Sequence, residues 1–166
     1  MAVLSRAFFA SASDDWETPQ ELFDVLHQEF SFTLDVCADS SNFKCDRYYD
    51  RRENGLWQDW AGEVCWMNPP YSRVAAWMEK ACLESGKGAL VVGLVPVRTD
   101  TRWWADHVMR AAEIRLIVGR LRFGNAQNNA PFPSAVVAFD ARRKRAQGPR
   151  VYSWNWRKAR ERRGDG

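Results

Sequence analysis

Residues 89–95, Ala-Leu-Val-Val-Gly-Leu-Val, form an unbroken apolar run. A strand with one wet face alternates apolar and polar residues, whereas a run without alternation is covered on both faces. Such a strand belongs in the middle of a parallel sheet sandwiched by helices, so the run predicts an α/β fold. Residues 32–37 (Phe-Thr-Leu-Asp-Val-Cys) read as a second buried strand, ending at the polar turn Asp39-Ser40-Ser41-Asn42. Tyr48 and Tyr49 mark a short strand that ends near Asp50. Residues 63–67 make another, stopped by Asn68-Pro69-Pro70, because adjacent prolines have no N–H for a ladder. Residues 114–118, 134–139 and 151–156 complete the set.

Helical patterns fill the spaces between. Thr18-Pro19-Gln20-Glu21 opens one helix, with Thr18 as N-cap, Pro19 as first helical residue and Glu21 closing a capping box. Leu22, Phe23, Val25, Leu26 and Phe30 give it an apolar face. Residues 73–85 form a second, with Val74, Trp77, Met78 and Ala81 on one face and Gly86 and Gly88 at its end. A third is expected over about 100–111. Trp16, Trp57, Trp60 and Trp66 read as core residues. The expected organisation is a flexible arm over residues 1–13, one α/β domain with a mostly parallel central sheet over 14–140, and a basic tail over 141–166 that adds a short strand.

The chain has 166 residues, 46% of them apolar, which suits one core. No run approaches eighteen apolar residues, and the first ten lack a long apolar run and a cleavage site. Neither a membrane span nor a signal peptide is expected, and the expected location is the cytoplasm. Cys37, Cys45, Cys65 and Cys82 include no C-x-x-C pair, and His27 and His107 stand far apart, so no metal site is expected. Residues 141–166 carry ten Lys or Arg against Glu161 and Asp165, net +8, which leaves −5 on the other 140 residues of a chain whose total is +3. A basic segment on an acidic body points to nucleic acid or to a solvated terminus.

Asp35, Asp50, Asn68 and Pro96 all fall at or near predicted strand ends. In open α/β sheets ligands bind beyond the carboxyl ends of the strands. Asn68-Pro69-Pro70-Tyr71 is the decisive string. An amino nitrogen on an aromatic base is a poor nucleophile, because its lone pair is delocalised into the ring. A side-chain amide oxygen and a main-chain carbonyl that accept its two N–H hydrogens draw it toward tetrahedral geometry and free the lone pair. Asn68 and the Pro69 carbonyl are suited to be those acceptors, Pro70 stiffens the turn, and Tyr71 offers a ring to the base.

An ordered set of strings resembles the phage-type Dam family of DNA N6-adenine methyltransferases. They are Trp16-Glu17-Thr18-Pro19, Leu34-Asp35-Val36-Cys37-Ala38, Cys45-Asp46-Arg47-Tyr48-Tyr49, Asn54-Gly55-Leu56, Trp66-Met67-Asn68-Pro69-Pro70-Tyr71-Ser72, and Gly119-Arg120-Leu121-Arg122-Phe123 with Pro131-Phe132-Pro133-Ser134-Ala135. The resemblance covers roughly residues 15–140. It implies a Rossmann-like methyltransferase fold, S-adenosylmethionine as cofactor with S-adenosylhomocysteine as product, no metal, and adenine N6 in DNA as acceptor. It implies a phage or prophage origin and action in the bacterial host cytoplasm. Thr18 and Pro19 would help hold the cofactor's amino-acid end under Trp16, and Asp35 would face its amino group. Cys37 and Ala38 would belong to the same turn, Asp50 would bind the ribose hydroxyls, and Asn54 and Leu56 would flank the cofactor adenine. The glycine-rich turn usual after the first strand is absent, and Ala38-Asp39-Ser40 stands in its place.

A target adenine in a duplex must flip out to meet a methyl donor. Arg120, Arg122 and Phe123 are candidate contacts to the flipped nucleotide, and Arg98 and Arg102, after the central strand, are candidate phosphate contacts. The same Asn-Pro-Pro-Tyr chemistry fits other planar amino groups, namely a protein glutamine amide, cytosine N4 or RNA adenine. A non-catalytic DNA-binding module is the alternative from another class. Target sequence and oligomeric state stay open.

Overall fold

The computed structural model describes residues 16–143 and 146–164; the expected N-terminal arm, residues 1–13, lies outside them. In chain order the elements are α1 (Gln20–Phe30), β1 (Leu34–Asp35), β2 (Val64–Met67), α2 (Val74–Gly86), β3 (Leu90–Pro96), α3 (Arg102–Asp106), β4 (Glu113–Ile117), β5 (Ser134–Phe139), β6 (Arg150–Trp154) and α4 (Trp156–Gly164). Short 3-10 turns connect them at Gly55–Trp57, Tyr71–Arg73, Val108–Arg110 and Ala141–Arg143.

The six strands form one sheet in the order β1-β2-β3-β5-β4-β6. The pairs β1/β2, β2/β3 and β4/β6 are parallel. Strand β5 runs antiparallel to both β3 and β4, so the sheet is mixed rather than mostly parallel. The cause is connectivity. Parallel neighbours need a crossover, as α2 provides between β2 and β3, whereas residues 118–133 lead straight back from β4 into β5. The other five strands share one direction, so their carboxyl ends gather along one edge. Asp35 ends β1 at that edge, and Asn68 follows β2 there.

Side-chain alternation explains the unbroken apolar run. Val91 and Val95 of β3 join Cys65 and Met67 in a core that includes Trp77 and Met78 of α2. Val92 and Leu94 point the other way, into a core with Trp66, with Leu22 and Leu26 of α1 and with Trp156 of α4. Both faces of the strand are therefore covered. On the α1 side, Arg115 of β4 pairs with Glu29 of α1 and with Glu113, and its guanidinium lies against the rings of Phe30 and Trp154. That cluster fixes the end of α1 to the far half of the sheet.

Several local expectations change. Helix α1 begins at Gln20 with Pro19 as N-cap and no side-chain cap, so the capping box does not form. The Pro19 carbonyl accepts from the Leu22 and Phe23 N–H groups, while Glu21 pairs with Arg160 of α4 at 2.9 Å. The helix expected over 100–111 is shorter. The Thr101 hydroxyl accepts from the Trp104 N–H, which starts α3 at Arg102, and His107 (φ −122°, ψ −51°) separates it from the next 3-10 turn. Trp60 and Trp66 are buried, but Trp57 is 84% exposed.

In the C-terminal segment, β6 pairs along the whole of β4, and α4 packs on α1. Trp156 is 3% exposed and inserts into the α1-side core. Trp156→Ala is therefore expected to lower the unfolding free energy by about 3 kcal/mol or more, the usual range for truncating a buried aromatic. Urea denaturation checks this, and a change below about 0.5 kcal/mol would show that β6 and α4 add nothing to the cooperative core.

Candidate active site

A cavity of about 360 Å³ opens beside the carboxyl ends of β1 and β2. Its size lies at the lower end of the range for small-ligand sites. Four segments build its wall: residues 16–18 before α1, residues 35–39 after β1, residues 49–55, and the turn that starts at Asn68. Among the expected cofactor residues, Trp16, Thr18, Asp35, Cys37, Ala38, Asp50, Asn54 and Asn68 line it, as does Pro70. Pro19, Leu56, Pro69 and Tyr71 are adjacent in sequence but do not line it. Pro19 serves the helix start, and Leu56 packs against the α2-side core.

Asn68 joins the walls. Its amide nitrogen donates to the carbonyl of Trp16 and to the Thr18 hydroxyl oxygen, the latter at 2.9 Å. A carbonyl can only accept, so the NH₂ end must face residues 16–18 and the Oδ1 end must point away. That Oδ1 is buried and has no partner among the described residues. A buried acceptor left empty is costly unless something else fills it. Thr18 is 3% exposed, and its hydroxyl serves Asn68 rather than the helix end.

Asp35 is 3% exposed. Oδ1 accepts from the Cys37 N–H at 3.3 Å, and Oδ2 accepts from the Lys44 N–H at 3.0 Å. Burial pushes its carboxyl up to about 6, although the Lys44 and Cys37 amides pull the other way. No cation makes an ion pair with it among the described residues, so a cationic ligand group in the cavity would supply the missing counter-charge. Burial and the neighbouring Asp35 charge raise the Cys37 thiol, which leaves it un-ionised.

Asp50 and Asn54 order the outer wall. Asp50 Oδ1 accepts from the Arg52 and Glu53 N–H groups at 2.8 and 3.0 Å, and these amide bonds hold its carboxyl below the usual range. Arg52 pairs with its other oxygen at 3.4 Å. Asn54, at φ 51°, caps the 3-10 turn by accepting from the Leu56 N–H. Gly55 then passes so close to the end of β1 that a Cβ would sit 2.0 Å from the Val36 oxygen, so only glycine fits.

Beside the cavity, Trp16 meets Phe123 and Phe132 edge-on at 5.3 and 5.2 Å, and Tyr71 meets Phe132 edge-on at 5.5 Å. Phe123 is 4% exposed and belongs to this cluster, so its expected contact with DNA is corrected: packing leaves no ring face for a base. The Tyr71 hydroxyl is buried without a partner among the described residues, and burial raises it well above its usual range. The Gly124 N–H donates to the Glu17 carbonyl at 2.9 Å, which ties the loop over residues 118–133 to the cavity wall. Arg120 and Arg122 are exposed on this loop. Arg98 is half-buried just after β3, and Arg102 is exposed at the start of α3, 3.8 Å from Asp106.

Sequence reasoning missed Lys44, Tyr49, Arg73 and Trp77, which also line the cavity. Trp77 sits on the apolar face of α2 in the core, and its indole N–H is buried without a partner among the described residues. Among the described residues, no three His, Cys, Asp or Glu side chains gather to hold a metal ion.

The mixed α/β sheet, the cavity beyond its strand ends and the Asn-Pro-Pro-Tyr turn define a methyltransferase. A family model described as DNA N-6-adenine-methyltransferase (Dam) matches residues 7–160, and the chain belongs to that family. The DNA N-6-adenine-methyltransferase of Haemophilus phage HP1 (strain HP1c1) is 36% identical over 132 residues, 73% of this chain and 76% of that relative. The DNA N-6-adenine-methyltransferase of Escherichia phage T1 is 31% identical over 103 residues, 61% of this chain and 43% of that relative. The activity is site-specific, S-adenosylmethionine-dependent methylation of adenine N6 in DNA.

The desolvated carboxyl of Asp35 gives a direct check. In the free protein its carboxyl carbon is expected to titrate in a ¹³C NMR pH series with a midpoint near 6. The sign follows from linkage: Asp35 favours folding below the ordinary aspartate range, and that contribution is lost as pH rises through about 6. A midpoint in the ordinary range would show that the site is wetter than its burial implies.

Proposed function

We propose that Asn68 is the residue on which methyl transfer turns. The observation that carries this is its buried, unpartnered Oδ1, held in place while the NH₂ end grips Trp16 and Thr18. A flipped adenine would fill that vacancy by donating one N6 hydrogen to Oδ1 and the other to the Pro69 carbonyl. Both bonds strengthen as the nitrogen becomes tetrahedral, so they favour the transition state over the ground state. S-adenosylmethionine, when bound, supplies an electrophilic methyl group on its sulfonium. The surplus N6 proton leaves to water after the N–C bond has formed, so no strong base is required. Pro70 stiffens the turn, and Tyr71 with Phe132 closes the target side of the pocket.

The cofactor would lie along the remaining wall. Asp35 faces its ammonium, which meets the carboxylate's need for a counter-ion. Thr18 beside Trp16 shapes the amino-acid end, and Cys37 and Ala38 line the turn beneath it. Asp50 meets the ribose hydroxyls, and Asn54 flanks the adenine. Arg98, Arg102, Arg120 and Arg122 contact phosphates near the target. The protein acts on DNA in a host cytoplasm and comes from a phage or prophage. Support for the latter comes from the two phage relatives; among the described residues no helix is long and apolar enough to cross a membrane.

Two substitutions separate the two ends of Asn68. Asn68→Ala is expected to slow single-turnover transfer by about 10²-fold or more, the scale for losing one preorganised contact. It should also weaken S-adenosylhomocysteine binding by about 1–2 kcal/mol, because Trp16 and Thr18 lose their donor. Thr18→Val leaves Oδ1 in place, and its loss should appear mainly in cofactor affinity. Near-normal transfer by Asn68→Ala would sink the mechanism. Calorimetry should also show S-adenosylhomocysteine affinity falling as pH drops below about 6, because protonated Asp35 no longer attracts an ammonium.

A further inference from the structure

Helix α4 has the sequence Trp-Arg-Lys-Ala-Arg-Glu-Arg-Arg-Gly. Five cations stand against one acid in nine residues. Like charges three or four positions apart repel on a helix surface, so this helix is not stabilised by its own exposed face. It is held from beneath, by Trp156 in the core, by the half-buried Ala159 and by the Arg160–Glu21 pair. Arg157, Lys158 and Arg162 stay exposed. An outward face with this much charge and no apolar anchor is unlike a protein-binding surface, which draws most of its energy from buried aromatic and aliphatic contacts. It suits a polyanion.

Its position in the fold names the polyanion. Strand β6 shares the direction of β2 and β3, so its carboxyl end, and with it the start of α4, lies along the same edge as Asn68. The Val118 N–H donates to the Trp154 carbonyl at 3.0 Å, which sets the start of the 118–133 loop beside the start of α4. The Arg157 guanidinium lies over the Trp156 ring, 4.6 Å from its centre, and a Cβ on Gly119 would meet it at 4.0 Å. Arg120 and Arg122 follow directly, and then Phe123 and Gly124 reach Trp16 and Glu17 at the cavity. One basic strip thus runs from α4 across Arg120 and Arg122 to the rim of the site.

We propose that α4 and the Arg120–Arg122 segment form a phosphate-binding rail that grips duplex DNA alongside the flipped adenine. The proposal rests on adenine methylation in DNA and adds the surface that holds the duplex. Flipping a base costs a few kcal/mol, and phosphate contacts can supply the binding energy that offsets it without reading sequence. Helix α4 is about 13 Å long, and a duplex carries a charge every 1.7 Å or so of its axis, so several phosphates lie within its reach.

The test uses the full chain with S-adenosylhomocysteine bound and a fluorescent duplex of about 25 base pairs. Arg157→Gln, Lys158→Gln and Arg162→Gln are combined, leaving Arg160 to its partner Glu21. Duplex affinity at about 150 mM salt is expected to fall at least tenfold. The slope of log affinity against log salt should flatten by about 0.9 per lost contact, so by two to three in all. The loss in turnover should appear in KM for DNA rather than in kcat, and calorimetry with S-adenosylhomocysteine should match the parent. Arg157→Lys with Arg162→Lys keeps the charge and should keep the parent slope, which separates charge from helix packing. A folded, cofactor-binding triple variant with the parent's duplex affinity and salt slope overturns the rail. A parent protein that transfers no methyl group to DNA overturns instead the reading on which the rail rests.

Discussion

The structure depends on the two hydrogen bonds that one amide group donates. Asn68 lies just past the carboxyl end of β2, and its NH₂ group holds the Trp16 carbonyl and the Thr18 hydroxyl, some fifty residues earlier in the chain. The segment over residues 16–18 carries Trp16 against Phe123 and Phe132 and Glu17 against Gly124. A single side chain therefore connects the sheet, the cavity wall and the loop over residues 118–133. The same constraint leaves Oδ1 buried without a partner among the described residues, so the tie between distant segments and the unpaired acceptor are two consequences of one orientation.

Two buried carboxylates show how environment separates structure from function. Glu84 is fully buried, and burial alone would raise its carboxyl. Lys80, the Trp60 N–H and Lys87 outweigh that and hold it at about 2. Asp35 is almost as buried, yet it receives only two backbone amides and is raised to about 6. Glu84 is satisfied within the protein and fixes α2 to Trp60. Asp35 is left with an unmet electrostatic demand, and it faces a cavity. A protein keeps such a cost where a ligand relieves it.

What the sequence makes legible follows from the range of each interaction. Strands β2, β3 and β5 are readable because burial on both faces leaves an apolar run in the chain itself. Asp35 and Asn68 are readable because a polar residue ending such a run has few structural uses. Thr18 was read through its nearest neighbours as a helix cap, but its partner is Asn68, fifty positions away, and no local pattern contains that contact. Phe123 fails, and Trp77 is only half legible, for the opposite reason. An aromatic residue in a basic loop resembles a base-stacking group, and one on an apolar helix face resembles core; only the packing assigns Phe123 to the core and shows that Trp77, which is core, also borders the cavity. Trp57 carries no sequence mark of its exposure at all.

The direction of β5 was equally absent from the sequence, because an apolar strand reads the same in either direction, and its reversal has functional weight. Strand β4 ends at the edge of the sheet that holds Asn68. A parallel β5 would have required the chain to cross to the opposite edge before re-entering the sheet. Because β5 is antiparallel, residues 118–133 leave and return at the same edge. Leu121, Phe123, Ala130 and Phe132 anchor the loop in the core, while Arg120, Arg122 and the polar tip over residues 124–129 face outward. The one strand that breaks the parallel pattern is thus what brings a long, partly basic loop to the mouth of the site.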